Sequence, residues 1–249
     1  MNNLKNISFI ICFLVITFAT KSAVTAQKSL KNKQFNDLVL LSIEGKDWWK
    51  KKLGPNGISL ENCDLGLGPG VVEGVHKSMP RFFGDVGMIL DLKSRLIFCM
   101  NKIQGFDKKK LLTSYELKQI VTSIAVWVAE KSLGSDFQVR TTNRQEKKYF
   151  DIGKRIFHSE LVPDGLSLSN CLFDVKNYNA INYLLDYDSQ YTKLFSSYPK
   201  YDQAKRDVIF VEDKISECLY EQGIANKSYH HFSINPLLVF FGASVSKSQ

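Results

Sequence analysis

Only one long apolar run occurs in the 249-residue sequence, and it lies near the N-terminus over residues 7–19. This run is too short to span a bilayer comfortably and no later segment is long enough, so we expect no stable membrane insertion. A polar start containing Lys5 and a stretch of small residues that ends at Ala26 instead predict a secretory signal over residues 1–26. We therefore expect an exported protein whose mature part begins near Gln27.

Aromatic and basic residues do not form a shared stripe anywhere in the chain, although the formal net charge is +8. The lysines are scattered apart from two short runs at residues 50–52 and 108–110, and such runs usually form solvated surfaces. We therefore expect no nucleic-acid binding. A docking surface for an acidic partner protein stays open as an alternative.

Motifs of the common catalytic and metal-binding classes are also missing. The four histidines have no ligand spacing with one another or with an acidic cluster, so no metal site is expected at His76, His158, His230 or His231. The glycine-rich stretch at residues 66–70 does not lead into a phosphate-loop pattern, and we expect it to form a turn. No motif supports Ser/His/Asp catalysis.

Cysteine is scarce, with five residues in the chain, and Cys12 lies within the predicted signal. The mature part then contains an even number of cysteines, which in an oxidising compartment predicts disulfides. Composition alone allows three pairings of these four residues. They are Cys63, Cys99, Cys171 and Cys218.

The segment GPNGISLENC at residues 54–63 recurs as VPDGLSLSNC at residues 162–171. Aligned without a gap, residues 42–63 and 150–171 share nine identical positions of 22, where average composition would give roughly one or two. Further along, a cation precedes a cysteine by four residues in both halves, at Arg95/Cys99 and at Lys214/Cys218. The sequence therefore predicts two copies of one small domain, over residues 27–139 and 140–249.

Helical spacing of apolar residues is common in both copies, whereas alternating strand patterns are scarce. A helix is predicted over residues 91–103, and Thr113 with Glu116 predicts a capping box that begins another. The closing helix is predicted over residues 234–245, with Pro236 in its first turn. Residues 140–147 have the composition of a polar linker. The predicted fold class is all-α.

A family resemblance becomes specific over residues 61–107, in the pieces CDLGLGPG, MPRFF, DLKSRL and CM. This run strongly resembles the first domain of SoxA, the two-domain c-type cytochrome subunit of the thiosulfate-oxidising enzyme SoxAX. The resemblance covers nearly all of the mature chain and becomes much weaker after about residue 170. It implies two tandem cytochrome c-like domains, a periplasmic location and a role in electron transfer and sulfur oxidation.

The second domain of this family carries haem c on a C-x-x-C-H motif, which the resemblance places at residues 168–172. Here Leu168 stands in place of the first attachment cysteine and Leu172 in place of the axial histidine. Leucine forms no thioether and does not bind iron, so Cys171 is a remnant of haem attachment and no haem is expected.

The resemblance also implies roles for the cysteines. Family members that have lost the first-domain haem join the two remaining cysteines, which implies a Cys63–Cys99 disulfide, and the repeat extends this pairing to Cys171–Cys218. The cysteine matching Cys218 carries a persulfide in the family, and a cation at Lys214 would stabilise anionic sulfur there.

The implied activity is that of an L-cysteine S-thiosulfotransferase, which joins thiosulfate to a cysteine of the carrier protein SoxYZ. A SoxX-like cytochrome subunit is the implied partner in a heterodimer. The alternative is a haemless relative that binds or scaffolds its partners and has two structural disulfides.

Overall fold

The computed structural model describes residues 37–158, 168–173, 187–221 and 230–247. The predicted signal at residues 1–26 lies outside these ranges. Within them the regular secondary structure is helical apart from two short antiparallel hairpins and two isolated β-bridges, which confirms the predicted all-α class. None of the helices in these ranges is both long and apolar enough to cross a membrane.

The first half begins with helix α1 at residues 37–50 and continues through two 3-10 turns at Leu60–Asn62 and His76–Ser78. The remaining elements are β1 (Arg81–Phe83), β2 (Met88–Leu90), α2 (Leu92–Lys102), α3 (Lys108–Thr113) and α4 (Tyr115–Glu130). β1 pairs with β2, with Phe82 opposite Ile89.

Two side-chain caps fix the beginnings of α2 and α4. The Asp91 carboxylate accepts a hydrogen bond from the Ser94 backbone N–H at 2.8 Å, so α2 begins as the sequence predicts. At α4 the predicted cap is wrong. Ser114 is the N-cap and its hydroxyl accepts from the Leu117 N–H. Thr113 instead ends α3, and its hydroxyl donates to the Lys109 carbonyl oxygen one turn earlier.

The second half contains α5 (Arg144–His158), α6 (Leu168–Leu172), α7 (Tyr187–Ser196), β3 (Lys200–Asp202), β4 (Asp207–Ile209), α8 (Val211–Glu221) and α9 (His230–Lys247). β3 pairs with β4, with Tyr201 opposite Val208. The sequence missed both hairpins because strands of three residues are too short to show an alternating pattern.

Two helices of the second half begin earlier than expected. α5 takes in half of the predicted linker, because Asn143 and Glu146 form a capping box. The Glu146 N–H donates to Asn143 Oδ1 at 2.8 Å, and Glu146 Oε2 accepts from the Asn143 N–H at 3.4 Å. α9 begins at His230, so Pro236 lies inside the helix rather than in its first turn.

Corresponding elements of the two halves follow a constant spacing of 119 residues from the hairpin onward, relating β1 to β3, β2 to β4 and α2 to α8. The contact between the opening and closing helices is also repeated. A Cβ on Gly45 of α1 would collide with the Ser123 carbonyl oxygen of α4, and a Cβ on Gly153 of α5 would collide with the Pro236 carbonyl oxygen of α9. Each half therefore packs these two helices at backbone contact.

Aromatic pairs lie beside both glycines. The ring centroids of Trp49 and Trp127 are 5.9 Å apart in the first half. In the second half, Phe157 and Phe240 hold the matching positions with centroids 5.7 Å apart. Two apolar cores follow from this arrangement, one in each half.

Side chains of each half also pack in the core of the other half. The hairpin of the second half places Val208 and Phe210 in the first core, while Phe137 lies in the second core. The hairpin of the first half contacts α5, where the Phe82 N–H donates to Glu146 Oε1 at 3.3 Å. This reciprocal packing joins the halves through buried surface.

An ion-pair cluster lies at the same junction. Lys93 Nζ on α2 is 3.3 Å from Glu212 Oε1 and 3.0 Å from Asp213 Oδ2 on α8. Lys93 and Glu212 hold equivalent positions in the two helices. Burial raises the pKa of Glu212 against the opposing charge of Lys93, with smaller contributions from Asp91 and Asp213. Burial lowers the pKa of Lys93, but the two α8 carboxylates outweigh it and raise that pKa overall.

Candidate functional site

All four cysteines outside the predicted signal are disulfide-bonded. Cys63 pairs with Cys99 at an S–S distance of 1.98 Å, and Cys171 pairs with Cys218 at 2.03 Å, which are the pairings implied by the resemblance and by the repeat. Cys99 and Cys218 lie at equivalent positions of α2 and α8. Three of the four side chains are buried, whereas Cys171, in the short helix α6, is partly exposed.

Leucines occupy the two positions of the second half that the resemblance assigns to haem attachment and ligation. Leu168 and Leu172 are 3% and 8% exposed and belong to the second core, together with Phe157 and Phe173. In the first half Leu60 is likewise buried in the first core. Apolar packing therefore fills the space beside the remaining cysteine in both halves.

The glycine-rich stretch after Cys63 forms a turn, as the sequence predicts. Asp64 Oδ1 accepts hydrogen bonds from the Gly66 N–H at 2.6 Å and from the Gly68 N–H at 3.0 Å. Both glycines have a positive φ, a conformation that other residues adopt at a cost.

Arg95 holds this turn in place, a role that the sequence analysis missed. Its side chain is buried, Nε donates to the Asp64 carbonyl oxygen at 2.8 Å, and Nη1 donates to both oxygens of Asp85 at 2.8 and 3.0 Å. Its guanidinium also lies 4.1 Å from the centroid of Phe83. The signal in the sequence was an arginine one helical turn before a cysteine. The sequence analysis assigned a role to the equivalent Lys214 but none to Arg95.

Lys214 holds the equivalent position before Cys218 but has different neighbours. Its ammonium forms an ion pair with Glu217 at 3.6 Å, and the side chain is 27% exposed. Ala204 and Leu172 stand in place of Asp85 and Asp64. Lys214 and Cys218 therefore lie one turn apart on α8, but the ammonium of Lys214 pairs with the Glu217 carboxylate.

Glu221 is a further site residue that the sequence analysis missed. It lies one turn beyond Cys218 on α8, and its Oε2 is 3.3 Å from Cys171 Sγ. Among the described residues, the side chains of Cys171, Cys218 and Glu221 bring three potential ligand atoms within 4.8 Å of one another. The spacing of Cys218 and Glu221 by three residues was visible in the sequence, but the proximity of Cys171 required the fold.

The two histidines with described side chains lie apart from this cluster. Burial, with a smaller contribution from Lys77, lowers the pKa of His76 to about 4. His158 packs edge-on against Phe157 and Phe240, and burial, with a smaller contribution from Lys154, also lowers its pKa. The side chains of His230 and His231 lie outside the described residues.

Comparisons with known proteins agree with this architecture. Residues 44–137 match the family model of the SoxA/TsdA cytochrome c domain. The L-cysteine S-thiosulfotransferase subunit SoxA of Hydrogenophilus thermoluteolus is 37% identical over 135 residues, which are 53% of this chain and 50% of that relative. A SoxA subunit of Hydrogenobacter thermophilus is 23% identical over 219 residues, covering 87% of this chain and 83% of the relative.

A solved structure shares the fold. A chain in the crystal structure of SoxXA from P. pantotrophus matches with a TM-score of 0.63 at 19% identity, over 84% of this chain and 74% of that chain. The resemblance that the sequence indicated is therefore confirmed. Residues 44–137 match the SoxA/TsdA cytochrome c domain, and the chain is similar to SoxA subunits along most of its length.

Proposed function

We propose that this protein acts as a SoxA-type subunit in periplasmic thiosulfate oxidation, joining thiosulfate to a cysteine of a SoxYZ-like carrier protein. The observation that supports this most is Cys218, retained on α8 in a chain similar to a SoxA subunit over 87% of its length. The match to SoxXA supports a SoxX-like cytochrome subunit as the partner. The predicted signal supports the periplasm.

In this proposal neither half carries covalent haem. Attachment of haem c needs two thioether cysteines and an axial histidine. Leu168 and Leu172 hold two of those positions and are packed in the second core, and the sulfur of Cys171 is already bonded to Cys218. The residues present do not fit the group, so no step of the proposed reaction passes through a haem on this chain.

The chemistry first requires a dithiol reductant of the thioredoxin class, which opens the Cys171–Cys218 disulfide by adding two electrons and two protons and so gives two thiols. Freed as a thiol, Cys218 holds the reacting sulfur, and Lys214 one turn earlier stabilises its negative charge. The Cys218 sulfur forms an S–S bond with the terminal sulfur of thiosulfate, which releases the thiol proton to water and two electrons that the SoxX-like cytochrome partner accepts one at a time. The carrier cysteine, as a thiolate, then attacks that terminal sulfur. Its new S–S bond replaces the bond to Cys218, which leaves as a thiolate.

Two matched variants test the role of Cys218. Cys171→Ala and Cys218→Ala remove the same disulfide, so they lose the same cross-link, but only the first leaves a thiol at Cys218. With a SoxX-type subunit, a SoxYZ-type carrier and thiosulfate, Cys171→Ala is expected to add thiosulfate to the carrier, as measured by carrier mass. Cys218→Ala is expected to add none, and full activity in that variant would contradict the proposal.

The closed disulfide favours a second candidate, a non-catalytic subunit that binds or scaffolds the sulfur-oxidising partners. Cys218 is fully buried and bonded, and Lys214 pairs with Glu217. This role predicts no free thiol in the denatured, unreduced protein and equal carrier binding by both variants without product. Two or more free thiols in that assay would count against it.

A further inference from the structure

The Cys171–Cys218 disulfide has a carboxylate beside it. Glu221 Oε2 lies 3.3 Å from Cys171 Sγ, and Cys218 is on the same helix as Glu221, one turn earlier. The two sulfurs and the carboxylate oxygen all lie within 4.8 Å of one another. Three potential metal ligands thus converge from two elements, α6 and α8.

The first half lacks this convergence and provides an internal control. Cys63 and Cys99 form the equivalent disulfide, but Lys102 occupies the position on α2 that corresponds to Glu221 on α8. An ammonium group has no lone pair to offer while it is protonated, and its charge repels a cation. The grouping is therefore a property of the second half rather than of the shared fold.

Reduction would convert these atoms into a ligand set for a divalent ion. Disulfide sulfurs are not the ligands that Zn²⁺ prefers, whereas thiolates are. Addition of two electrons and two protons breaks the S–S bond and gives two thiols, which lose their protons when they bind the ion. Two Zn–S bonds in tetrahedral geometry hold the sulfur atoms about 3.8 Å apart. The two cysteine side chains begin bonded to each other, so a short displacement brings their sulfurs to that distance.

We propose that the second half contains a redox-gated site for Zn²⁺ or a similar thiophilic divalent ion, formed by Cys171, Cys218 and Glu221 with water as the fourth ligand. A dithiol reductant of the thioredoxin class opens the disulfide. The ion enters from the exposed side, where Glu221 and Cys171 meet solvent, and buried Cys218 closes the inner end. The bound ion holds Cys218 as a thiolate and keeps the disulfide open. The site does not depend on the proposed function.

The experiment uses the full chain, Co²⁺ as a spectroscopic probe and Zn²⁺ as a competitor. Anaerobically reduced protein is expected to bind one Co²⁺ with a thiolate-to-cobalt charge-transfer band, which Zn²⁺ removes. Oxidised protein is expected to show no such band. Glu221→Gln is expected to weaken binding more than about tenfold, because even loss of an outer-shell partner has that effect. Glu221→Lys, which copies Lys102, is expected to abolish it.

Three results would overturn the proposal. The first is equal Co²⁺ binding before and after reduction, and the second is a band that persists in a Cys171→Ser/Cys218→Ser double variant. The third is Co²⁺ binding by the reduced protein that does not change when Glu221 is substituted. The same result is expected if reduction unfolds the chain. Circular dichroism of each reduced sample identifies that last case.

Discussion

Arg95 and Lys214 hold the same place in the two halves, one helical turn before a half-cystine, yet their surroundings differ. Arg95 is buried and binds the Asp64 carbonyl and both oxygens of Asp85, which fixes the turn that follows Cys63. Lys214 is partly exposed and pairs with Glu217 on its own helix. The positive charge is the same, but only the arginine links its helix to another segment.

Equivalent positions of the two halves therefore have different contacts around their disulfides. In the first half the cysteine site is closed by the Arg95 contacts and by complete burial of both sulfurs. In the second half Cys171 reaches solvent beside Glu221, and the leucines at positions 168 and 172 provide packing without a polar anchor. Any chemistry of the protein is therefore expected in the second half.

The disulfides should make the largest contribution to stability, and a similar one in each half. Cys63→Ala/Cys99→Ala and Cys171→Ala/Cys218→Ala are each expected to lower the free energy of unfolding by about 4 kcal/mol in the chain-entropy model. The similarity follows from their sequence separations of 36 and 47 residues. Urea unfolding checks this, and a loss below about 1 kcal/mol for either pair would contradict a structural role for it.

Arg95 provides the next largest expected effect. Arg95→Met is expected to lower the free energy of unfolding by about 3 kcal/mol, because it removes a buried charge-assisted network. Arg95→Lys copies the residue of the second half and should recover part of this loss, since it keeps the charge but not the planar fork. If Arg95→Met leaves the free energy of unfolding in urea unchanged, Arg95 does not anchor the first half and the contrast with Lys214 is lost.

The junction between the halves should respond to pH through Glu212. Burial raises its pKa from an ordinary 4.5 to about 7, so the folded protein holds a proton there that the unfolded chain releases. The contribution of Glu212 to stability is then fully present below pH 4.5 and is lost as pH rises towards 7, while Lys93 remains protonated. Relative to Glu212→Gln, the wild type is expected to lose at most about 3 kcal/mol over that range.

Chemical unfolding of both proteins at several pH values measures this difference. Glu212→Gln is the control for the other groups that titrate in the same range, including His76. The lowered pKa of His76 reduces stability in acid, which is opposite to the effect of Glu212. A difference between the two proteins that stays constant would show that folding does not shift the pKa of Glu212, and one that grows in favour of the wild type as pH rises would show that folding lowers it.

Lys214 should have the smallest effect on stability. Lys214→Ala is expected to change the free energy of unfolding by less than about 0.5 kcal/mol, because exposed ion pairs contribute little. Urea unfolding beside Arg95→Met gives the direct comparison. A loss as large as that of Arg95→Met would mean that Lys214 anchors the second half after all.

The sequence predicted features that depend on local pattern and on the repeat. The helix that follows Asp91 could be predicted from nearby residues. The family resemblance implied the Cys63–Cys99 pairing, and the equivalence of the two copies extended it to Cys171–Cys218. The reciprocal packing, including Val208 and Phe210 in the first core, could not, since contacts between distant segments leave no periodic signal. The same reason hid the contact between Cys171 and Glu221, while the division of the chain at residues 139 and 140 stays a prediction.

The most direct test of this account is the intact mass of the protein, produced in a periplasm that attaches haem c and measured before and after reduction. The account predicts a polypeptide without a haem adduct that gains four hydrogens on reduction, two for each disulfide. A covalent haem adduct, or a mass that does not change on reduction, would contradict the claim that two disulfides have replaced haem in this SoxA-like chain.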